Sequence, residues 1–349
     1  MKALVYHGPG QMAWETVPDP KLADPLDAIV QIDTTTICGS DLHILKGDVP
    51  ETTDGTVLGH EGVGTVLEVG DQVRSHKVGD RVVVSCMSMC GTCEYCRKGL
   101  TSKCQVMGGD SWQLGHRING TQAQMVRTPL ADLSLFKLPE GVTDNQAVMC
   151  SDILSTGYEI GVVNGAVAAA QSVVVIGAGP VGLAAMLTAR LHGPKQVVAV
   201  DMDDNRLESA KAGFGASHAV NSGDPDWQAQ VKAIVGADGA DVMIEAVGIP
   251  VTLEACWDLV KPGGRVANVG VHGAPVSLPM EKLWTANVVI TTGLVNMTTG
   301  PMMLDLIAAG QLKVDALATH HFPLDEFEHA YEVFSAAAQN QALKMVVHR

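Results

Sequence analysis

Residues 173–186 read VVVIGAGPVGLAAM, and the fold follows from how that stretch divides. Val173 to Ile176 is a short β-branched run, suited to a buried strand. Gly177-Ala178-Gly179-Pro180-Val181-Gly182 is a G-x-G-x-x-G turn, and the Ala/Leu-rich remainder has the propensity of a helix. In a strand–turn–helix unit the first glycine permits the tight turn and the second lets a pyrophosphate approach the backbone. The third lets helix and strand pack closely, and the helix N-terminus then faces the negative charge. The wider segment 166–191 is apolar enough to suggest a membrane span. Gln171 and Ser172 interrupt it, however, and three glycines and a proline fall in its middle, so the strand–turn–helix reading accounts for it better.

Alone, the glycine pattern is weak, because Gly/Ala-rich helix starts arise often. Its context strengthens it: a second strand-like run, VVAVD, ends in Asp201, 24 residues after Gly177. An acidic side chain there accepts hydrogen bonds from an adenosine ribose and repels a 2′-phosphate, which favours NAD over NADP. Asp203 and Asp204 add to the repulsion. Arg206 has two readings, stacking on adenine or capping a surface helix.

Working outward, strands and helices alternate from about 155 to 295: VVVIG, a helix to His192, VVAVD, a helix over Asn205 to Ala212, then VMIEAVG and GRVANVG. Such alternation means βαβ units and a parallel sheet. Before about 150 the runs are short and strand-like (VLEVG, RVVVSC, QAQMVRT), broken by Gly, Pro and Asp, and they predict a mainly β domain. The tail from about 297 carries two helical stretches, MMLDLIAAG and DEFEHAYEVFSAAAQ, and ends in the strand KMVVHR. No internal repeat or low-complexity tract is present.

At 349 residues the chain has room for about two domains. Its balance of 46% hydrophobic and 17% charged residues excludes disordered and fibrous classes. A formal net charge of −15 disfavours nucleic acid or an anionic membrane as partner. The N-terminus, MKALVYHGPGQMAWETVPDP, has neither a continuous apolar core nor a cleavage site and is read as the mature start.

Within CMSMCGTCEYCRKGLTSKC, residues Cys90, Cys93, Cys96 and Cys104 are spaced C-x2-C-x2-C-x7-C. Four thiolates so spaced can close a tetrahedral shell around one Zn²⁺ with no position left for water, which makes a structural site. A disulfide cluster is the rival, and the missing secretory signal argues against it. An iron–sulfur cluster is a second rival, though bacterial ferredoxins normally carry Pro after the last cysteine and Gln105 stands here.

Other chemistry-bearing residues are scattered. Cys38 lies in ICGSDLH, His60 and Glu61 in GHEGVG, and Asp152 in CSDILSTG. A thiolate, an imidazole and a carboxylate can hold zinc with one position open. Spacing alone does not connect them: Cys38 also reads as a small buried hydrophobe, His60 as a core histidine and Asp152 as a helix cap.

Taken together, Cys38-Gly39-Ser40-Asp41, Gly59-His60-Glu61-Gly62, the four-cysteine lobe and the Gly177 fingerprint closely resemble the zinc-dependent medium-chain alcohol dehydrogenases, over essentially the whole chain. The resemblance implies an α/β protein with a GroES-like β-rich catalytic domain over 1–154, completed by 297–349, and a Rossmann doubly wound NAD-binding domain over 155–296. It implies two zinc ions per chain: one catalytic on Cys38, His60 and a third ligand, and one structural on the four cysteines. The third position carries Asp152 where liver-type enzymes have Cys. This resembles bacterial secondary-alcohol dehydrogenases, with Cys150 as the competing ligand. By the same resemblance Glu61 ligates zinc in the substrate-free state or stands as a nearby charge. Ser40 hydrogen-bonds the alcohol oxygen, His43 relays the proton to solvent, and Asp41 fixes the tautomer of His60. Thr156, Lys344 and Val269 to Val271 match cofactor-contacting positions, and Leu294 and Trp112 match the substrate pocket.

The expected activity is interconversion of an alcohol, chiefly a secondary one, with its ketone or aldehyde by hydride transfer to or from NAD. Alternatives are another hydroxyl substrate (formaldehyde hydrate, a primary alcohol, a polyol or threonine) and a nucleotide-binding relative without turnover. The partner is expected to be a small-molecule alcohol or carbonyl, with no nucleic acid and no membrane, in a cytoplasmic homotetramer or homodimer.

Overall fold

A computed structural model describes all 349 residues, which form two compact units: Met1–Asp152 with Asn296–Arg349, and Ile153–Val295.

The second unit is the α/β layer that the glycine fingerprint predicts. Its six strands are parallel and lie in the order His218–Asn221, Gln196–Asp201, Ser172–Ile176, Ala240–Glu245, Val260–Asn268, Val289–Thr292. Numbered along the chain, that order is 3-2-1-4-5-6, the Rossmann arrangement. Val173, Val174 and Val175 are fully buried, as a strand covered on both faces requires. The apolar stretch that tempts a membrane reading divides into the strand Ser172–Ile176 and the helix Pro180–Ala189. No helix in the chain is long and apolar enough to cross a membrane. Gly177 has φ +99°, and a Cβ on Gly182 would lie 1.9 Å from the Gly177 carbonyl oxygen. Only a residue without a side chain permits that approach of helix to turn. Helices Trp227–Val235 and Pro250–Leu259, which carry no motif in the sequence, supply crossovers between strands.

The first unit is built on a seven-stranded sheet. Its path runs Ala318–Pro323, Lys344–His348, Ala28–Thr36, Gly62–Val69, Arg81–Val84, Leu135–Lys137, with Met125–Thr128 also paired to Ala28–Thr36. All pairings are antiparallel except that of the two C-terminal strands. The chain's last strand thus sits inside the sheet, against the long strand Ala28–Thr36. Helix Phe327–Ser335 then buries Phe327, Ala330, Tyr331 and Phe334 against Leu4, Ile37, Ile44, Leu58 and Met345. Truncating a wholly buried aromatic such as Phe327 to alanine costs about 3–5 kcal/mol. This tail therefore holds the N-terminal sheet together.

Gly182→Ala should destabilise the Ile153–Val295 unit by more than about 2 kcal/mol, since the new methyl meets backbone that cannot yield. Calorimetry that finds an unshifted unfolding transition would show the helix can slide away from the turn.

Candidate active site and metal lobe

The Cys38–His43 segment is shaped by a helix start. Cys38 is the N-cap of helix Gly39–Lys46, and the Asp41 side chain reaches back to accept the Cys38 N–H at 2.8 Å. That cap fixes Asp41 at the helix start, in the turn that follows Cys38. His60 stands on the loop before strand Gly62–Val69. There a Cβ on Gly120 would lie 1.9 Å from the Gly59 carbonyl oxygen, so two glycines let the loop press against its neighbour.

These elements bring Cys38, His60 and Asp152 together, with their ligating atoms all within 4.8 Å of one another. Asp152 Oδ2 lies 3.8 Å from Cys38 Sγ and 3.5 Å from His60 Nε2. The other His60 nitrogen, Nδ1, faces Asp41 Oδ1 at 3.5 Å. Cys150 is fully buried outside this group, and burial pushes its thiol well up.

Charge in this pocket is lopsided. Asp41 and Glu61 are each 1% exposed, and with Asp152 they set three carboxylates around His60 and the Cys38 sulfur. Lys344 is the buried cation among them: its Nζ donates to Glu61 Oε2 and to the Ile37 carbonyl. Burial alone would lower Lys344, but the charges of Glu61 and Cys38 outweigh it and hold the ammonium above its ordinary value. Burial likewise opposes a charged His60, and the Asp41 and Asp152 carboxylates overcome it. An excess of buried negative charge beside a thiol, an imidazole and a carboxylate is the environment a divalent cation neutralises, and the donor set fits zinc.

The four-cysteine lobe fits a second ion. None of the cysteines is in a disulfide, and Cys90 Sγ lies 3.9 Å from Cys96 Sγ. A disulfide would need about 2.0 Å. A tetrahedron of Zn–S bonds of about 2.3 Å has an edge of about 3.8 Å. Backbone N–H groups of Thr92 and Cys93 point at Cys90 Sγ, and those of Cys96 and Gln105 at Cys93 Sγ. Burial would raise Cys90, but the Thr92 and Cys93 hydrogen bonds bring it down to about 6. The lobe is tied in by Asn296, whose Oδ1 accepts from the Ser102 N–H and hydroxyl.

Comparison with known proteins agrees with this geometry. The alcohol dehydrogenase GroES-like domain signature matches residues 24–140, and the zinc-binding dehydrogenase signature matches 180–309. The chain is 34% identical to an alcohol dehydrogenase of Cupriavidus necator, over 99% of this chain and 98% of that protein. It is 36% identical to zinc-type alcohol dehydrogenase B of Aspergillus flavus, over 96% and 79%. This chain belongs to the zinc-dependent alcohol dehydrogenases. Among solved structures, zinc-dependent alcohol dehydrogenase 2 of Streptococcus pneumonia superposes with a TM-score of 0.95 at 46% identity, covering 100% of this chain and 98% of that one. Two further relatives, each 27% identical and covering 100% of this chain and 99% of theirs, carry nicotinamide cofactors. A protein of Sinorhizobium meliloti 1021 is bound to NADP (TM-score 0.88), and a short chain alcohol dehydrogenase of Escherichia coli CFT073 is complexed with NADH (TM-score 0.87). The family makes this chain an oxidoreductase that uses zinc and NAD(P) on small-molecule substrates.

Against that background, the remaining residues divide. Ser40 Oγ is 3.8 Å from Cys38 Sγ, and His43 holds Asp48 at 2.9 Å through Nδ1. Trp112 stands edge-on to the His60 ring at 5.9 Å. Gly177, Gly179, Asp201, Val269, Val271 and Leu294 all lie at or just beyond the C-terminal ends of parallel strands, where open α/β sheets bind ligands. Asp201 Oδ2 accepts the Ala178 N–H at 2.6 Å, and Arg206 lies next to Gly179. Thr156 ends the short helix Ile153–Thr156. Lys344 departs from expectation: it is 1% exposed and committed to Glu61, so in this arrangement it has no surface to offer a cofactor. The buried Glu61 carboxylate needs a counter-charge, and Lys344 is what meets it.

Cys86, Gln122 and Tyr331 were not singled out from sequence. Cys86 is buried, and burial together with the charges of Asp152, Glu61 and Cys38 pushes its thiol well up, so it stays protonated beside Asp152. Only its place in CMSMC hints at a role.

Asp152→Ala should lose one of two zinc ions and nearly all turnover, whereas Cys150→Ala keeps both ions at a packing cost of about 1–2 kcal/mol. Elemental analysis and kcat for both variants, with NAD binding as the folding control, decide between them. A zinc-replete, active Asp152→Ala protein would move the third ligand elsewhere.

Proposed function

We propose that this dehydrogenase interconverts a secondary alcohol and its ketone with NAD as hydride partner. The observation that carries this reading is the carboxylate of Asp152, set beside Cys38 and His60 where liver-type enzymes have a thiol. An ion held by these three side chains supplies Lewis acidity, which lowers the pKa of a hydroxyl, and NAD supplies the hydride acceptor.

The chain's own residues do the rest. Ser40 accepts a hydrogen bond from the substrate hydroxyl through its Oγ and, as it takes that proton, hands its own on. His43 passes it to solvent: with Nδ1 on Asp48 and the side chain 36% exposed, Nε2 is left to take a proton up and release it. Asp41 keeps the His60 Nε2 lone pair turned toward the ion. Glu61, paired with Lys344, is a further carboxylate next to His60. Trp112, edge-on to the His60 ring, is the aromatic side chain of this reading's substrate pocket. Cys90, Cys93, Cys96 and Cys104 would hold a second ion, which would tie the lobe together with no position left for substrate.

Asp201 carries the choice of NAD. Its carboxylate, braced by the Ala178 N–H, sits at the end of the second strand where a ribose would bind, and a 2′-phosphate would meet Asp203 and Asp204 as well. Arg206, near Gly179, is the side chain this reading assigns to the adenine. The free thiols fit a reducing, cytoplasmic setting. A homodimer or homotetramer is the expected assembly.

NADH formation with matched primary and secondary alcohols tests the substrate class: secondary alcohols should have the higher kcat/KM, and a preference for primary alcohols would overturn the reading. NAD should exceed NADP by at least about tenfold in kcat/KM, roughly 1.4 kcal/mol, and Asp201→Gly should narrow that gap. Equal efficiency with both cofactors in the parent enzyme would mean that Asp201 does not face the ribose.

A further inference from the structure

A chain of buried hydrogen bonds runs from the C-terminal helix to Asp41, whose free carboxylate oxygen faces His60. The Tyr331 hydroxyl donates to Gln122 Oε1 at 2.9 Å. Gln122 Nε2 in turn donates to the Thr36 carbonyl and to Asp41 Oδ2, each at 3.1 Å. Asp41 Oδ1 faces His60 Nδ1 at 3.5 Å. Every member is nearly inaccessible: Tyr331 2%, Gln122 0%, Asp41 1% and His60 3% exposed.

Polarity is set along the whole chain. The Thr36 carbonyl can only accept, so it fixes which end of the Gln122 amide is nitrogen, and Tyr331 then finds the oxygen. Burial, and then the negative charge of Asp41, hold the Tyr331 phenol well above its ordinary range, so it is always a donor. Asp41 Oδ2 accepts two N–H groups, from Cys38 and Gln122, which stops the carboxylate from rotating. That leaves Oδ1 for His60. Asp41 Oδ1 and His60 Nδ1 are both buried without a hydrogen-bond partner, and at 3.5 Å each is the group placed to satisfy the other. A proton on Nδ1 leaves the Nε2 lone pair for a metal.

We propose that Gln122 and Tyr331 are positioning residues for the catalytic metal: they lock the Asp41 carboxylate, which holds His60 in its ligating tautomer and orientation. Tyr331, in helix Phe327–Ser335, thereby makes the far end of the chain part of the metal site. This rests on the reading of Cys38, His60 and Asp152 as the catalytic zinc ligands.

The test is the rate of zinc release from purified holoenzyme to a chromogenic chelator. The open site should release its ion faster than the four-cysteine lobe, giving two phases. Tyr331→Phe should speed the fast phase about tenfold and leave the slow phase unchanged, and Gln122→Met should do the same. Phe327→Leu, which loosens the same core without touching the chain, should lower Tm and leave both phases alone. In an Asp41→Asn background, Tyr331→Phe should add nothing further. A fast phase unmoved in both Tyr331→Phe and Gln122→Met, or one that shifts equally in Phe327→Leu or adds in full to Asp41→Asn, overturns the proposal. A parent enzyme with no fast phase overturns the zinc reading beneath it.

Discussion

Buried charge must be met by opposite charge, and the first unit is organised around that requirement. Glu61, wholly removed from solvent, accepts from the Lys344 ammonium and the Thr36 hydroxyl, while its backbone carbonyl takes the hydroxyls of Thr35 and Thr121. An ion pair of this kind adds little net stability, because desolvation offsets most of its Coulomb energy, but losing either partner is costly. Its effect is to specify the arrangement. With Lys344 spent on Glu61, the charges of Asp41 and Asp152 remain, and a cation among Cys38, His60 and Asp152 would answer them.

The geometry that meets this requirement is long-range. Ile37 and Lys344 are 307 residues apart in the chain, yet they are hydrogen-bonded because the last strand is inserted beside Ala28–Thr36. The same insertion brings down helix Phe327–Ser335 and its Tyr331. A break in the C-terminal strand pairing would thus expose Glu61, strip it of its cation and unlock Asp41 together. Stability of this sheet and integrity of the site share one set of contacts.

The second unit answers a different demand, the close packing of a helix start on a glycine turn, and does so locally. The turn at Gly177, the close contact at Gly182 and the brace from Asp201 to the Ala178 N–H all lie within one βαβ unit. Asp201 serves twice there, holding the glycine loop from below and presenting negative charge at the strand end. Such economy is possible because a parallel sheet places successive strand ends side by side.

What the sequence by itself determined is what closes over short distances. The four-cysteine lobe is legible because C-x2-C spacing sets thiolates on one turn of backbone, and the glycine fingerprint because strand, turn and helix follow one another without a gap. The Cys38–Asp41 cap belongs to the same class. Tertiary structure alone decided which distant groups meet. Nothing in the spacing of Cys38, His60 and Asp152 makes them neighbours; strand register does. The same holds for Lys344, which family likeness placed on a cofactor and the sheet turned inward to Glu61. It holds also for Cys86, Gln122 and Tyr331, ordinary residues until packing surrounds them. The physical reason is that a side chain's partners across a sheet depend on how every intervening strand is paired, and that information is held by the whole core.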